Sequence, residues 1–498
     1  MRSFNLVFFC QTSYKHQRLY FIIILMFDIT IIGAGITGSL IAHGLSKYDL
    51  KVLVLEKEND VAEGATGANS AMVHSGHDPK PDTLKCRYNV IGNRMYPELC
   101  KELQVDFLGI GAFVVATDDI EEEKLETLIR QCEERDIPFE VLSGDEARAI
   151  EPNLSDGVTK ALSLPSTGII MPFEVTIAAM EEAMLNGVEL KLDYEVKKID
   201  KQKDHFVIND EIETKVLINC AGAHCDDITN MLRTSPYKVI TRKGEYFVLD
   251  HLEDYLHHVI YPTPSLKGKG VLAIPTVHGN IMLGPNSDET EDKDDDATGS
   301  GLDYIRKEIN KTMKNVPFNK LIHTFAGLRP HIDLGDFYIK EDDMISNFIH
   351  VAGIESPGLT AAPAIAKDVI NDIVMPKFAD CKAKAEYVRR KPFIDMRHMS
   401  FEEKQKLVES DPDFGKIVCR CEKISLGQIK DVIRRKCGAT TIKGVKMRCR
   451  PGMGRCQGGF CEPEVLKILS EELHKDVTDI KLDRDGSNVL LASAKEEL

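Results

Sequence analysis

The stretch FDITIIGAGITG, residues 27–38, decides the fold of this chain. A short apolar run leads into three glycines with the spacing GxGxxG. Apolar residues at helical intervals follow, and a second apolar run, residues 51–55, ends at Glu56. This order of strand, glycine turn, helix, second strand and acidic residue predicts a βαβ unit that binds a dinucleotide. The alternative is a βαβ turn of the same shape without a ligand.

Each residue type in this unit suits a cofactor that contains a diphosphate. Gly33 permits the tight turn, Gly35 lets the backbone approach the diphosphate, and Gly38 lets helix and strand pack closely. The amides at the helix start receive the negative charge, and Glu56 accepts hydrogen bonds from the ribose hydroxyls. The spacing alone does not separate FAD from NAD. The expected cofactor contacts are Gly33, Ala34, Gly35, Ile36, Thr37, Gly38, Glu56 and Lys57.

Length and charge limit the classes of function. At 498 residues the chain is too long for a single core, so two or three domains are expected. The formal net charge of −16 argues against a general affinity for nucleic acid. An anionic substrate therefore needs a local cluster of cations. The acid-rich run 288–296 is expected to be a solvated loop.

The 13 cysteines do not form the pattern of a secreted disulfide protein. Four of them lie close together near the C-terminus, and the others are scattered among apolar positions. This distribution predicts a cytoplasmic protein with one metal site.

The first 25 residues do not have the sequence features expected of a segment that precedes a buried strand. The apolar run 19–27 is too short to cross a bilayer and has no cleavage signal. Met26 followed by FDITII is typical of a natural protein start. We therefore expect residues 1–25 to be a non-native extension, and a membrane anchor is the alternative.

The loop GATGANSAMVH, residues 64–74, points to the flavin. It resembles the flavin-contacting segment of the D-amino-acid-oxidase-like superfamily, and residues 194–196, 216–223 and 351–360 are similar to its other cofactor segments. The resemblance implies FAD and a Rossmann-like α/β fold, with an interleaved α+β substrate part, over residues 26–375. It adds as cofactor residues Thr66, Asn69, Ser70, Val196, Ala221, Gly222, Gly353, Gly358, Leu359 and Thr360.

Within that superfamily the match narrows to one group. The segments HSGHDPKP (74–81), RKGEY (242–246), GKGV (268–271), FAGLRP (325–330) and SPGLT (356–360) resemble the glycerol-3-phosphate oxidases of mollicutes. The resemblance implies oxidation of sn-glycerol 3-phosphate to dihydroxyacetone phosphate. L-2-hydroxyglutarate dehydrogenases share the Asn-Ser…His element and are the nearest alternative.

Four residues are candidates for substrate chemistry. His74 is the candidate base, because imidazole titrates near neutral pH and its loop is expected beside the flavin. Arg329 and Lys269 are candidates for the anionic group of the substrate, since an arginine fork suits phosphate or carboxylate. Ser356 adds a hydroxyl contact. The alternatives are a structural role for His74 and a mobile surface side chain for Lys269.

Ala71 departs from the resemblance, since related sequences usually have glycine after Asn-Ser. The added methyl is expected to crowd the flavin and to alter the access of oxygen. This departure weakens the assignment as an oxidase more than it weakens the assignment of the substrate.

A cysteine module follows a lysine-rich linker, residues 376–412. The pairs Cys419–Cys421 and Cys456–Cys461 bring four thiolates to one centre, as iron–sulfur clusters require. Structural zinc prefers CxxC knuckles, so zinc and four unliganded thiols are the alternatives. The spacing resembles the bacterioferritin-associated-ferredoxin-like [2Fe–2S] domain, over residues 413–465. That domain also occurs at the C-terminus of anaerobic glycerol-3-phosphate dehydrogenase large subunits.

The rest of the module carries weaker signals. Residues 428–436 predict a helix whose Ile429, Val432 and Ile433 face inward. The tail, residues 466–498, contains no sequence motif that indicates a chemical function. The module also has four basic residues that offset the cluster charge, dock an acidic redox partner, or form a solvated helix face: Arg434, Arg435, Lys446 and Arg448.

Together these motifs predict an FAD-dependent dehydrogenase whose electrons leave through a [2Fe–2S] cluster. A redox partner protein or a quinone is the expected acceptor, because an oxidase needs no attached cluster. Peripheral membrane association stays open, and no nucleic-acid partner is expected. The alternatives are an L-2-hydroxyglutarate or other 2-hydroxy-acid dehydrogenase, and a non-catalytic flavin and iron–sulfur electron-transfer subunit.

Overall fold

The structure is a computed structural model that describes residues 25–252, 254–264, 270–290 and 293–492. The expected N-terminal extension, apart from Leu25, lies outside the described residues. Lys269 lies outside them as well, so its predicted role stays a prediction.

The helices of the described chain belong to three groups: FAD-binding, substrate and C-terminal. In chain order they are α1 Ile36–Leu45, α2 Leu84–Leu103, α3 Asp119–Glu134, α4 Gly144–Ile150, α5 Pro172–Leu185, α6 Cys225–Asn230, α7 Gly299–Glu308, α8 Gly358–Asp368, α9 Phe401–Ser410, α10 Leu426–Arg434, α11 Ile442–Cys449 and α12 Glu462–Leu473.

The strands alternate between two large sheets, and short pairs complete them. In chain order they are β1 Leu25–Ile32, β2 Val52–Leu55, β3 Met72–Val73, β4 Phe107–Leu108, β5 Ala112–Ala116, β6 Glu140–Ser143, β7 Lys160–Leu164, β8 Gly168–Ile170, β9 Glu189–Lys191, β10 Ile199–Lys201, β11 Phe206–Ile208, β12 Ile212–Asn219, β13 Val239–Leu249, β14 Val259–Pro262, β15 Leu272–Pro275, β16 Ile281–Gly284, β17 Asp288–Glu289, β18 Leu321–Ile332, β19 Tyr338–Glu341, β20 Phe348–Ala352, β21 Ile417–Cys419 and β22 Ile424–Ser425.

The first sheet has eight strands among the described residues and contains the βαβ unit predicted to bind FAD, so we call it the FAD-binding part. β1 lies parallel to β2 on one side and to β12 on the other, and β20 continues beside β12. Helices α1, α5 and α8 bury their apolar side chains in the same core. Because the strands are parallel, the turns after β1, β12 and β20 meet at one edge, where α/β sheets bind ligands.

The second sheet has nine strands in the described chain and is mainly antiparallel. Its longest pair is β13 with β18, in register from Val239 opposite Ile332 to Leu249 opposite Leu321. The chain alternates between the two sheets, so the substrate part is interleaved with the FAD-binding part. The predicted fold class is confirmed.

The C-terminal module is small and mainly helical. A core that includes Ile429, Val432 and Leu469 holds α10, α11 and α12 together. The predicted inward positions Ile429, Val432 and Ile433 are buried, as expected. The helix begins earlier than residue 428, because Ser425 and Gln428 form a capping box at its start.

The module boundaries stay predictions, but two observations bear on them. α12 runs from Glu462 to Leu473, so the predicted boundary at residue 465 falls inside a helix. Within the predicted linker, Arg390 is buried and bonds the Glu181 carboxylate and the Leu103 carbonyl. This segment therefore packs against the FAD-binding part.

Two of the four basic residues of the module hold it in place. Arg448 makes a buried two-point ion pair with Asp60, at 2.6 and 2.8 Å, and Arg435 bonds Glu181 at 3.1 Å. Both acids belong to the FAD-binding part. The prediction that these arginines dock an acidic partner is wrong, because they are already paired at an internal interface.

Within the described residues, no helix combines the length and the hydropathy that crossing a membrane requires.

Candidate functional site

A cavity of about 1260 Å³ opens where the carboxyl ends of the parallel strands meet the β13–β18 pair. Most sequence-predicted site residues line it. These are Gly33, Gly35, Ile36, Thr37, Gly38, Glu56, Lys57, Thr66, Asn69, Ser70, His74, Val196, Ala221, Gly222, Arg329, Ser356, Gly358 and Leu359.

Three predicted cofactor residues lie behind the wall of the cavity. The Ala34 amide donates to Glu56 at 2.7 Å. The Thr360 hydroxyl accepts the His74 amide at 2.9 Å. Gly353 turns the chain after β20 with a φ of +71°. These residues support wall residues, and their direct contact with a cofactor stays a prediction.

The glycine turn has the shape that a diphosphate needs. Gly33 has a φ of +103°, and a Cβ there would collide with the Cys220 carbonyl. A Cβ at Gly38 would collide with the Gly33 carbonyl. Gly35 meets only the Thr66 hydroxyl, so its other side is open. Gly35, the N-cap of α1, has no side chain, and the Thr66 hydroxyl accepts the Ile36 amide at 3.0 Å, while Thr37 and Gly38 at the helix start line the cavity. The positive end of the helix therefore faces the cavity. The residues present therefore fit an FAD diphosphate.

Glu56 has bonds that the sequence did not predict. Its carboxylate accepts the amides of Ala34 at 2.7 Å and Glu58 at 3.0 Å. Burial raises the pKa of Glu56 above its ordinary value, although these two backbone bonds oppose the shift. The side chain braces the glycine turn from the cavity wall, and its contact with a ribose stays a prediction.

The loop before His74 is held by Asn69, whose side chain bonds the carbonyls of Ala65 and Thr66 and the amide of Ala71. Ala71 has a φ of +58°, a conformation that costs a residue with a Cβ about 1 kcal/mol. Its side chain packs beside Met72 in the core of the second sheet and is not part of the described cavity wall. The effect of this methyl on the flavin stays a prediction.

His74 is fixed at the cavity wall from two sides. It follows β3 directly, its amide bonds Thr360, and its Nδ1 lies 2.8 Å from the Tyr261 hydroxyl. Burial raises the pKa of Tyr261 well above its ordinary value, so this phenol stays neutral. The arrangement orients a buried imidazole toward the cavity.

Arg329 has a neighbour that the sequence analysis did not single out. Arg242 on β13 is directly opposite Arg329 on β18, and both line the cavity. Residues opposite each other in an antiparallel pair point to the same face. Arg329 bonds Ser287 at 3.1 Å and the Asn286 carbonyl at 3.0 Å, and Arg242 bonds Glu289 at 3.1 Å. The wall thus offers two guanidinium groups side by side.

An acid lies next to Ser356. Glu355 accepts Lys85 at 2.6 Å and pairs with His331 at 2.7 Å. Burial alone would raise the pKa of Glu355, but the charge of Lys85 holds it below its ordinary value. Ser356 itself is exposed and lines the cavity, and its contact with a substrate stays a prediction.

Two segments contribute to the wall unexpectedly. In the acid-rich run, Asp288 and Glu289 form β17 against β13, and Asp295 also lines the cavity. The expectation of a purely solvated loop is therefore incomplete. In the tail, Arg484 lines the cavity and pairs with Asp295 at 3.3 Å. Neither position carries a motif, so only the tertiary structure reveals it.

The four predicted cluster cysteines form two close pairs. The sulfurs of Cys421 and Cys456 are 3.5 Å apart. A hydrogen bond with Cys461 lowers the pKa of Cys419 to about 6, with help from the backbone amides of the loop. Each pair takes one cysteine from CxC and one from CxxxxC.

This geometry bears on the choice of metal. A tetrahedral zinc site would hold all four sulfurs about 3.8 Å apart, given Zn–S bonds of about 2.3 Å. Within the described chain, no three of these sulfurs lie within 4.8 Å of one another. Two pairs fit two iron ions with two thiolates each, the arrangement of a [2Fe–2S] cluster. The donor set therefore fits the cluster better than zinc.

Strand β13 connects the two centres. Arg242 and Tyr246 on this strand line the cavity, and Asp250, directly after it, bonds Arg455 at 2.8 Å. Arg455 precedes the ligand candidate Cys456 in sequence. At about 3.3 Å per residue, Tyr246 and Asp250 are about 13 Å apart along the strand. The cluster loop thus rests on the element that forms the cavity wall.

Comparisons with known proteins agree with both centres. The model of the FAD dependent oxidoreductase family matches residues 28–371, and the model of the BFD-like [2Fe-2S] binding domain matches residues 417–471. Glycerol 3-phosphate dehydrogenase from Caloramator mitchellensis is 44% identical over 484 residues, 95% of this chain and 100% of that protein.

Two further matches are less complete. The solved structure of dithionite-reduced L-alpha-glycerophosphate oxidase from Mycoplasma pneumoniae with FAD bound has a TM-score of 0.71 and 27% identity, covering 74% of this chain and 100% of that one. L-2-hydroxyglutarate dehydrogenase from Escherichia coli (strain K12) is 32% identical over 53% of this chain and 64% of that protein. The predicted cofactors, FAD and a [2Fe–2S] cluster, are confirmed. The chain belongs to the family of FAD-dependent oxidoreductases and carries a BFD-like [2Fe–2S] domain.

Proposed function

We propose that this protein is a dehydrogenase that oxidises sn-glycerol 3-phosphate to dihydroxyacetone phosphate. The observation that carries the proposal is the pair Arg242 and Arg329 on the wall of the cavity that the buried His74 also lines. A relative that matches 95% of the chain, including the cysteine module, and is a glycerol 3-phosphate dehydrogenase supports it. The cytoplasm is the proposed location, because the described cysteines form no disulfide.

The substrate phosphate is placed at the two arginines. A guanidinium fork binds phosphate oxygens through charge-assisted hydrogen bonds, and two forks suit a dianion. Arg329 is held by Ser287 and the Asn286 carbonyl, so it is already oriented before the substrate enters. Ser356 lines the same cavity and adds a hydroxyl, and Lys269 stays a candidate outside the described residues.

His74 takes the proton of the substrate hydroxyl. In the tautomer that acts as a base, Nδ1 donates to the Tyr261 oxygen and Nε2 accepts the proton. Tyr261 thereby fixes the ring orientation, and its oxygen can accept the Nδ1 proton of this tautomer. Bound FAD supplies the acceptor for the hydride that leaves the neighbouring carbon.

The cysteine module makes a dehydrogenase the better description than an oxidase. Cys419, Cys421, Cys456 and Cys461 are placed to hold a [2Fe–2S] cluster, which supplies one-electron transfer. The Asp250–Arg455 ion pair fixes the ligand loop against the end of β13. We propose that a redox protein or a quinone is the electron acceptor.

Two alternative functions are considered. A relative supports the first, and an experiment separates the second from the proposed function. A 2-hydroxy acid such as L-2-hydroxyglutarate also offers an anion for the arginines, and the Escherichia coli relative favours it over about half of the chain. A non-catalytic electron-transfer subunit would not need His74 and Arg329 on the same cavity wall.

Anaerobic mixing of the FAD-loaded protein with single substrates tests the proposal. Glycerol 3-phosphate is expected to bleach the flavin absorbance, while lactate and glycine leave it unchanged. Faster bleaching by L-2-hydroxyglutarate would move the assignment to the 2-hydroxy acids. Bleaching by none of the four would favour the electron-transfer subunit.

A further inference from the structure

The cluster cysteines reach the surface at an exposed face. We define the cluster face as the exposed residues of segments 416–423 and 452–461. Phe460 lies between two ligand candidates and is 87% exposed, although large apolar side chains are usually buried. Ile417 is 52% exposed, and Cys421 is exposed as well. Two large apolar side chains and one cysteine of the cluster are therefore exposed on this face.

The charge of the cluster face is opposite to that of the whole chain. Arg420 and Lys423 are exposed, and neither has an ion-pair partner among the residues that the structure describes. Lys416 and Arg455 are also exposed, and each is paired with an aspartate at the rim. The one acid of these two segments, Glu422, is buried against Arg450. A chain with a net charge of −16 thus presents a positive face at its cluster.

We propose that the cluster face docks an acidic one-electron carrier protein, and that Arg420 and Lys423 select it by charge. This inference rests on the proposed dehydrogenase function. Oxidation of one substrate molecule releases two electrons and two protons. Two oxidised carrier molecules dock in turn, and each takes one electron, while both protons pass to solvent.

The size and chemistry of the face suit such a carrier. Electron-transfer encounters bury less than about 1,200 Å² and are transient, so a small apolar centre with a charged rim is sufficient. Opposite charges raise the association rate by about 10-fold to 10³-fold at low salt. A lipid surface would also attract cations, but insertion into a membrane needs a wide apolar stripe, and the exposed large apolar side chains of this face are two, Phe460 and Ile417.

Two forms of one carrier provide the probe. Cytochrome c is basic, and succinylation of its lysines gives an acidic protein with the same haem. The holoenzyme is first reduced anaerobically with glycerol 3-phosphate and is then mixed with either form in a stopped-flow instrument. The acidic form is expected to be reduced about tenfold faster at low ionic strength. This preference is expected to vanish at about 0.5 M salt, because the Debye length falls below about 5 Å.

Charge reversal locates the effect on the cluster face. The double variant Arg420→Glu, Lys423→Glu is expected to lose the preference for the acidic form. Its matched control is Lys467→Glu, Lys475→Glu, which makes the same change in net charge on exposed side chains. By the rise of α12, Lys467 lies about 9 Å beyond Cys461, and Lys475 follows the end of the helix, which lies about 18 Å beyond Cys461. The control is expected to keep the parental preference, and both variants should keep their iron content.

The outcomes separate this inference from the function on which it rests. If glycerol 3-phosphate does not bleach the flavin, the proposed function fails first. If bleaching is normal but both cytochrome forms react equally fast, or both double variants lose the preference equally, the docking inference is overturned. It is also overturned if the holoenzyme shows no such preference but sediments with phosphatidylglycerol vesicles through Arg420 and Lys423, because the face then binds a membrane.

Discussion

The Nδ1 atom of His74 and the hydroxyl of Tyr261 are 2.8 Å apart in the wall of the cavity. Tyr261 belongs to β14 in the second sheet, whereas His74 follows the flavin loop, so the bond joins the two interleaved parts. Burial keeps the phenol neutral by raising its pKa. On its Nδ1 side the histidine is therefore held by a hydroxyl that carries no charge.

Replacement of His74 by alanine tests its role as the base. His74→Ala should retain FAD but slow the bleaching of its flavin by glycerol 3-phosphate by about 10²-fold to 10⁴-fold, the usual contribution of a general base. Anaerobic stopped-flow absorbance measures this step. His323→Ala is a matched control, because His323 is exposed on β18 and is not part of the described cavity wall. Bleaching at the parental rate in His74→Ala would assign the residue a structural role.

The arginine pair predicts a selective loss of substrate affinity. Arg242→Ala and Arg329→Ala should each weaken glycerol 3-phosphate binding about tenfold to a hundredfold, because a hydrogen bond to a charged group contributes about 1.5–3 kcal/mol. Substrate titration of flavin bleaching gives the apparent Kd. Arg130→Ala, at an exposed position on α3, is the control. Unchanged affinity in Arg242→Ala would place the phosphate at Arg329 alone.

The sequence predicted those parts of the site that follow from local spacing. Gly33, Gly35 and Gly38 lie within one turn, so their pattern alone specifies the strand, the turn and the helix. The Arg242–Arg329 pair depends on the register of β13 and β18, which are far apart in the chain. No local pattern encodes that register.

Tertiary contacts explain the other differences. The Ala71 methyl is buried in the core of the second sheet, which the comparison with glycine did not reveal. Arg448 looks like a surface cation of a helix until Asp60, from the other end of the chain, is placed against it. Arg484 lies in a tail without a motif, and only docking of the module brings it to the cavity.

Arg484 is expected to help retain FAD. The cation lies on the cavity wall, and its segment is anchored by Lys443, which bonds the neighbouring Asp483 at 3.0 Å. Its charge should attract the diphosphate of the cofactor, so Arg484→Ala should release FAD several-fold more readily. Flavin fluorescence after dilution measures the release. Lys475→Ala is the control, and equal retention in both variants would contradict the prediction.

Acid stability should depend on Glu182, which is buried on α5. Burial alone would raise its pKa, but His43 at 3.1 Å and the Arg390 amide at 3.0 Å help to lower it to about 2. Because the folded pKa lies below the ordinary value of 4.5, this contribution to stability is present above about pH 4.5 and is lost as the pH falls toward about 2.

Glu182→Gln should therefore unfold at a lower temperature at pH 7, and its stability should decline less between pH 4.5 and 2 than that of the parent. Thermal unfolding across this range measures both effects. Glu471→Gln is the control, since the Glu471 side chain is 61% exposed. A parental acid response in Glu182→Gln would mean that other carboxylates account for the acid sensitivity.

Cys456→Ser should separate substrate oxidation from electron delivery. Cys456 belongs to the close pair with Cys421, so its loss removes one of four thiolates and should lower the iron content. Bleaching of the flavin by glycerol 3-phosphate should stay near the parental rate, because it depends on His74 and the arginines. Steady-state turnover with a one-electron protein acceptor should be abolished. Cys86→Ser is the control, because Cys86 is half-buried on α2, outside the module. If Cys456→Ser reduced the protein acceptor at the parental rate, the cluster would have only a structural role, and the electrons would leave the flavin by another route.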